Sequence, residues 1–162
     1  MKNIETSHGS RFMKKAISEA RRNFVRPDGG PFGACIVKDG KILAAARNTV
    51  LANDATCHAE VNAIRKASKK LGAFDLSGCE IYSTTEPCPM CFGAIHWARI
   101  NAVHYGTSIR DAARAGFHEL RISNEKMKSM GNSRIRLVPG FMRRECLALF
   151  EAWRTLPDKK SY

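Results

Sequence analysis

Two short segments carry residue types whose chemistry would be joint: His58-Ala59-Glu60 and Pro87-Cys88-Pro89-Met90-Cys91. Each is predicted to open a helix just after a loop. A helix N-terminus presents unpaired N–H groups and partial positive charge, which stabilise a thiolate and favour a metal beside it. Pro89 in the first helical turn sacrifices no hydrogen bond and presets the backbone dihedral. One imidazole and two thiolates, from His58, Cys88 and Cys91, supply the ligand number of a catalytic zinc site whose last position is left to water. Glu60, close behind the histidine, is placed to act on that water rather than on the metal.

The same residues admit other readings. A structural zinc site needs a fourth ligand, and Cys57 is the nearby candidate. Adjacent side chains such as Cys57 and His58 rarely converge on one tetrahedral ion, and the gap from His58 to Cys88 fits no finger spacing. A redox C-x-x-C opening a helix is physically reasonable, but leaves His58, Glu60 and both prolines without a role. Chance co-occurrence of the two segments is the remaining reading. The catalytic reading uses every residue.

The elements that must position these residues alternate between helix and strand. Phe12, Ala16, Ile17, Ala20 and Phe24 recur at helical spacing after Ser10, a plausible cap. Arg26-Pro27-Asp28-Gly29-Gly30-Pro31 breaks the chain. Phe32 to Val37 and Ile42 to Ala46 read as strands joined at Lys38-Asp39-Gly40-Lys41, a hairpin signature. A polar loop over Asn48 to Asp54 precedes a helix from about His58 to Leu71, with Arg65, Lys66, Lys69 and Lys70 in its last turns, where the helix dipole favours cations. Cys79 to Ser83 reads as a buried strand, Cys88 to Arg99 as a helix and Ala102 to Tyr105 as a strand. Asp111 to Met130 reads as helix interrupted at Gly116, Arg134 to Val138 as a strand. Cys146, Leu149, Phe150 and Trp153 mark a last amphipathic helix. The order implies an α/β fold with a mixed sheet of about five strands and helices on both faces.

Composition sets the outer limits. A chain of 162 residues argues for one domain spanning 1–162. With 44% hydrophobic and 26% charged residues it is too apolar for disorder, and no apolar run is long enough for a membrane span. The start, Met1-Lys2-Asn3-Ile4-Glu5, lacks the apolar run of a signal peptide, so a cytoplasmic protein is expected. Lysines and arginines total 27 against 15 acidic residues, a net charge of +12 that permits a phosphate-bearing partner without establishing one. Of the six cysteines, Cys35, Cys79 and Cys146 read as small buried hydrophobes. His96 and His104 read as structural histidines, and His8 and His118 as solvated.

The combination H-x-E…P-C-x-x-C is the recognised signature of zinc-dependent base deaminases, and the chain resembles that superfamily, the cytidine/deoxycytidylate deaminases. Pro31-Phe32-Gly33-Ala34, Asn48-Thr49-Val50, His58-Ala59-Glu60-Val61 and Glu86-Pro87-Cys88-Pro89-Met90-Cys91 follow its order and spacing. Within it, the chain is most similar to the small bacterial guanine deaminases. That likeness rests on Cys88 through Arg99, on Asp111-Ala112-Ala113-Arg114-Ala115-Gly116-Phe117, and on the ending Phe150-Glu151-Ala152-Trp153-Arg154…Lys159-Lys160-Ser161-Tyr162. Ala55 and Cys57 depart from the family's usual proline and alanine, and neither change removes a ligand.

The resemblance implies a three-layer α/β/α sandwich of the cytidine deaminase type and one zinc ion per chain on His58, Cys88 and Cys91. It implies hydrolysis of guanine at C2 to xanthine and ammonia, with Glu60 as base and then acid. It places Phe32 against the purine face and Asn48 within hydrogen-bonding reach of the base. Trp97 corresponds to a pocket-lining aromatic, Glu119 to an acidic residue after Ala-Gly-Phe, and Tyr162 to a terminal tyrosine that closes the pocket. Taken singly, Phe32 and Trp97 would be core residues, Asn48 a turn residue and the tail frayed. A tail over 157–162 that folds across its own pocket or a partner's makes a homodimer the expected assembly. The alternatives are a tRNA adenosine deaminase, for which Ala98-Arg99-Ile100, Arg144-Glu145-Cys146 and the positive charge would serve, and a nucleic-acid-binding module with a structural zinc. Glu60 argues against the last, because a structural site has no use for that carboxylate.

Overall fold

Asp39 and Gly40 both take positive φ, 48° and 68°, which is what a tight two-residue hairpin turn requires. They join β1 (Gly33–Lys38) to β2 (Lys41–Arg47), with Lys38 opposite Lys41. The structure is a computed structural model that describes the backbone of residues 2–157, 159 and 160, with side chains from Gly9 onward. Three further strands complete the sheet: β3 (Cys79–Thr85), β4 (Ala102–Thr107) and β5 (Arg136–Pro139). The order is β2-β1-β3-β4-β5; β1 runs antiparallel to both neighbours, while β3, β4 and β5 are parallel.

Strand alternation divides the interior between two layers. Ala34, Ile36, Ile81 and Val103 face one side, where they pack against α2 (Ala59–Leu71) and α3 (Pro89–Trp97) through Ala59, Ala63, Ala67, Phe92 and Ile95. Cys35, Val37 and Tyr82 face the other side, under α1 (Lys2–Val25) and α6 (Arg143–Arg154). The expected sandwich is therefore present. Two shorter helices, α4 (Ile109–Arg114) and α5 (Asn124–Met130), lie between β4 and β5 in the chain.

Gly33 sets how close α1 can come. A Cβ there would stand 2.0 Å from the carbonyl oxygen of Ala16, so only glycine lets the helix backbone rest against the first strand. Gly33→Ala should push α1 off β1 and destabilise by about 1–3 kcal/mol, the usual range for overpacking. A melting temperature equal to wild type would show that α1 can shift freely.

Several boundaries differ from those expected. Helix α1 already runs from Lys2, so Ser10 lies inside it and is no cap; the apolar periodicity marked only the part that touches the sheet. Helix α3 ends at Trp97 because Arg99 takes a left-handed φ of 59°. Asp111 to Met130 is not one interrupted helix. Gly116, at φ 98°, ends the first piece, and an irregular loop over 115–123 separates α4 from α5. The last strand starts at Arg136, two residues later than the alternation suggested.

Candidate active site

His58 and Cys88 occupy equivalent positions, each the extended residue immediately before a helix, with φ and ψ of −65° and 157° for His58 and −63° and 166° for Cys88. Neither side chain caps its own helix, which leaves both to face each other across the start of α2 and α3. Pro89 opens α3, as its fixed φ favours. Cys91 lies in the first turn of α3 and is fully buried.

The donor atoms converge. One donor from each of His58, Cys88 and Cys91 falls within 4.8 Å of the others, the one such trio among the described residues. In a tetrahedral zinc site with Zn–S near 2.3 Å and Zn–N near 2.0–2.1 Å, sulfur and nitrogen stand about 3.6 Å apart. Cys88 Sγ is 3.6 Å from His58 Nδ1. The donor set fits zinc. Cys57 stays out of the trio: its sulfur lies 3.4 Å from Asp54 Oδ2 and 3.3 Å from Arg65 Nη1. The four-ligand reading is thereby overturned, and the local Asp54 and Arg65 contacts explain where the thiol went.

Charge in the trio is arranged for a metal. The hydrogen bond from Cys91, aided by His58, holds the Cys88 thiol at about 4, against the opposing pull of burial. Cys91 is the partner that keeps its proton, pushed well upward by its hydrogen bond to Cys88 and by burial. A cation bound between the two sulfurs takes the place of the proton they share. Burial pulls His58 down most strongly, but the hydrogen bond with Cys88 together with the negative charges of Glu60, Cys88 and Glu119 outweighs it, and the net direction is up.

Glu60, in the first turn of α2, is buried with 6% exposure. Its Oε1 accepts a hydrogen bond of 2.8 Å from Ser83 Oγ on β3, and its Oε2 lies 3.5 Å from Cys91 Sγ. Burial raises its pKa, and His58 partly counters this. The carboxylate is thus aimed at the donor trio by a hydroxyl from the sheet.

A cavity of about 140 Å³ opens in front of these groups, lined among others by Phe32, Asn48, His58, Glu60 and Glu119. Phe32 forms an aromatic wall, its ring 4.8 Å from that of Phe117 at 70° and 5.9 Å from that of Phe150. Asn48 is held where it is needed. Its Oδ1 accepts from Val50 N at 3.1 Å, and Asn23 Nδ2 donates to the Asn48 carbonyl at 2.9 Å and to that of Gly30 at 2.7 Å. Gly29 makes room for it, since a Cβ there would stand 2.1 Å from Asn48 Oδ1. Glu119 enters from the irregular 115–123 loop; burial and the nearby Cys88 thiolate push it up to about 7.

Trp97 and Tyr162 stand apart from the other expected contacts. Trp97 does not line this cavity and is 78% exposed at the far end of α3. At about 100° per residue it points some 240° around the helix from Cys91, away from the donors. Tyr162 lies outside the described residues, as does the side chain of His8. Of the tail, Pro157 and Lys159 line a separate cavity with Asn23, Phe24, Trp153 and others. His118, expected to be solvated, is exposed but also borders the catalytic cavity. His104 is buried and paired with Glu80 at 2.8 Å, whereas His96 is exposed and contacts Ser133 Oγ at 3.1 Å. Burial lifts Cys35 and Cys146 to about 12, in keeping with inert thiols.

Residues 6–107 match the profile of the cytidine and deoxycytidylate deaminase zinc-binding region. The chain belongs to this family. Guanine deaminase of Bacillus subtilis (strain 168) is 47% identical over 154 residues, covering 93% of this chain and 97% of its own. The tRNA-specific adenosine deaminase of the same organism is 33% identical over 151 residues, covering 92% and 91%. A solved structure of guanine deaminase from Nitrosomonas europaea superposes with a TM-score of 0.78 at 30% identity, covering 86% of this chain and 81% of that one. As a member of the deaminase family the chain is a zinc-dependent aminohydrolase, and His58, Cys88 and Cys91 are positioned to carry the zinc.

Ser83, Asn23, Glu86 and Asn124 support the site without being singled out by the sequence. Glu86 accepts from Ile109 N at 3.1 Å and Asn124 N at 2.8 Å, while Asn124 Nδ2 donates to the Pro87 carbonyl at 2.6 Å. These bonds tie the zinc-binding turn of this deaminase to α4 and α5. Glu86 stood in the E-P-C segment and was open to notice; the others carry no spacing signal.

Proposed function

We propose that this deaminase acts on guanine, converting guanine and water to xanthine and ammonia. The observation that carries the reading is the near full-length likeness to a guanine deaminase, at 47% identity, combined with a cavity of about 140 Å³ that has room for a small planar base. The likeness to the tRNA-specific enzyme over the same span is weaker, at 33%.

His58, Cys88 and Cys91 would hold a zinc ion, which would supply a water whose pKa is lowered from 15.7 toward about 7. Everything else is done by the chain. Phe32 stacks on the purine and Asn48 hydrogen-bonds its edge, which fixes C2 opposite Glu60. Glu60 takes a proton from the attacking water and gives it to a ring nitrogen as the new C2–O bond forms. The second water proton then passes through the same carboxyl to the exocyclic amino group. The C2–N bond breaks, ammonia leaves, and the oxygen remains as the C2 carbonyl of xanthine. Burial favours this double duty, because a buried carboxyl that readily holds a proton can both accept and return one.

Glu119, which also lines the cavity, accepts an N–H of the base. Glu119→Gln should raise the guanine KM about 10- to 150-fold, the value of one hydrogen bond to a charged group, with a smaller change in kcat. An unchanged KM would remove Glu119 from the substrate contacts.

The assembly we propose is a homodimer. Helix α3 leaves Met90, Gly93, Ala94 and Trp97, one stripe at helical spacing, at least partly exposed, although the helix carries no Asp, Glu, Lys or Arg. A helix apolar all round is normally buried, and a second copy would cover it. The tail over 157–162, with Tyr162, closes the catalytic cavity of its own chain or its partner's. Deleting these residues should leave zinc content unchanged and lower guanine turnover sharply; normal turnover would remove the lid. No described helix is long and apolar enough to cross a membrane, and the cytoplasm is the compartment we propose.

The deciding experiment measures ammonia release from guanine, adenine, cytosine and tRNA by the zinc-loaded protein. Guanine alone should react. Inosine formation in tRNA without guanine turnover would assign the chain to the tRNA enzymes instead.

A further inference from the structure

Among the described residues no lysine or arginine lines the cavity that holds the donors, whereas a second groove that shares Glu86 with it is lined by Arg110, Arg114, Arg121 and Lys126. This groove is the larger, at about 880 Å³. Among the described residues, Arg110, Arg121 and Lys126 have no carboxylate within ion-pair distance, and Arg114 reaches Asp111 only at 3.9 Å, with its side chain 80% exposed. Asp111 is already held by Arg143 through two bonds of 2.6 and 3.0 Å. The one acidic residue in the groove wall, Glu86, has both oxygens occupied by the backbone N–H groups of Ile109 and Asn124.

Unpaired like charges gathered in one concave surface repel each other and persist at some cost to stability. A neutral purine in the catalytic cavity makes no use of them. Arginines present planar forks that match phosphate oxygens, and several converging on one groove suit a compact multiple anion. Buried Ile109 and half-buried Ala113 give the groove an apolar floor, on which a base or ribose can rest while the cations take phosphates. From these observations we infer that the groove is a second binding site, for a compact polyphosphate anion of the nucleoside polyphosphate class, separate from the guanine cavity.

The groove is also joined to the catalytic cavity by chain. The 115–123 segment contributes Phe117, His118 and Glu119 to the catalytic cavity and Arg121 and Ser123 to the groove. One loop therefore lines both.

The test is calorimetric titration of the zinc-loaded full-length protein with inorganic pyrophosphate and with GTP. Two triple variants are compared, R110A/R121A/K126A in the groove and K41A/K69A/R144A at exposed cations outside it. Both lose the same charge, so the general field of the protein falls equally. Guanine turnover in anion-free buffer should be retained in both, which shows that they fold. The groove variant should bind pyrophosphate and GTP at least about tenfold more weakly, the sum of three exposed charge contacts, and the control within about twofold of wild type on the same scale. Equal weakening in the two variants, no weakening in the groove variant, or no binding by wild type overturns the site. A short single-stranded RNA bound through the groove more tightly than GTP overturns the assignment to a compact ligand.

Discussion

Glu60→Gln should abolish ammonia release from guanine while leaving zinc content and fold intact. The structure says why the two effects separate. The amide oxygen can still accept from Ser83 Oγ, now 2.8 Å from Oε1, and the amide nitrogen can donate toward Cys91 Sγ, now 3.5 Å from Oε2. Packing and orientation therefore survive. What is lost is the capacity to take a proton from water and return it. A single general acid-base role is worth roughly 10²- to 10⁴-fold, and Glu60 serves twice in one turnover. The expected fall in kcat is therefore at least about 10³-fold, within or above that range. Ser83→Ala is the graded control: the carboxylate stays but loses its anchor, so kcat should fall far less. Near-normal turnover by a zinc-loaded Gln variant would mean that another group carries the proton, with Glu119, which lines the same cavity, the first candidate.

The part of this site that was legible in the sequence is the part compressed into short segments at helix starts. His58 stands at the N-cap position of α2 with Glu60 in its first turn, and Cys88 at that of α3 with Cys91 in its first turn, so short spacing brings each pair to a helix start. The residues that hold those turns in place come from far along the chain. Ser83 reaches Glu60 across 23 positions, Asn23 reaches the Asn48 carbonyl across 25, and Asn124 reaches Pro87 across 37. Each is an ordinary polar residue whose role is one hydrogen bond, set by the way the sheet brings distant strands and helices together. The same holds for the 115–123 loop. Its apolar residues could pass for a helical pattern, and only the left-handed turn at Gly116 sends Phe117 and Glu119 into the cavity. Trp97, a residue type suited to a pocket, is exposed at the end of α3 and does not line the catalytic cavity of its own chain.

Cys88→Ala should remove zinc and with it a measurable share of stability. Cys88 is the more exposed of the two sulfur ligands, while Cys91 is fully buried. Truncating Cys88 thus deletes a ligand with little loss of packing, whereas Cys91→Ala also opens a hole beside Glu60. The metal joins the starts of α2 and α3, and binding to the folded chain stabilises it by mass action. At a hundredfold excess over Kd that is about 2.7 kcal/mol, which for a domain of this size corresponds to roughly 5–10 °C in melting temperature. Wild type stripped with a chelator should therefore melt roughly 5–10 °C lower and recover when zinc is restored. Cys88→Ala should melt near the stripped wild type and show no recovery, with zinc content far below one ion per chain. Cys91→Ala should melt lower still, by the cost of the cavity. Full zinc occupancy in both variants would contradict the assignment of the two sulfurs, and a zinc-dependent rise in Cys88→Ala would mean that Cys57 or Glu60 can take its place.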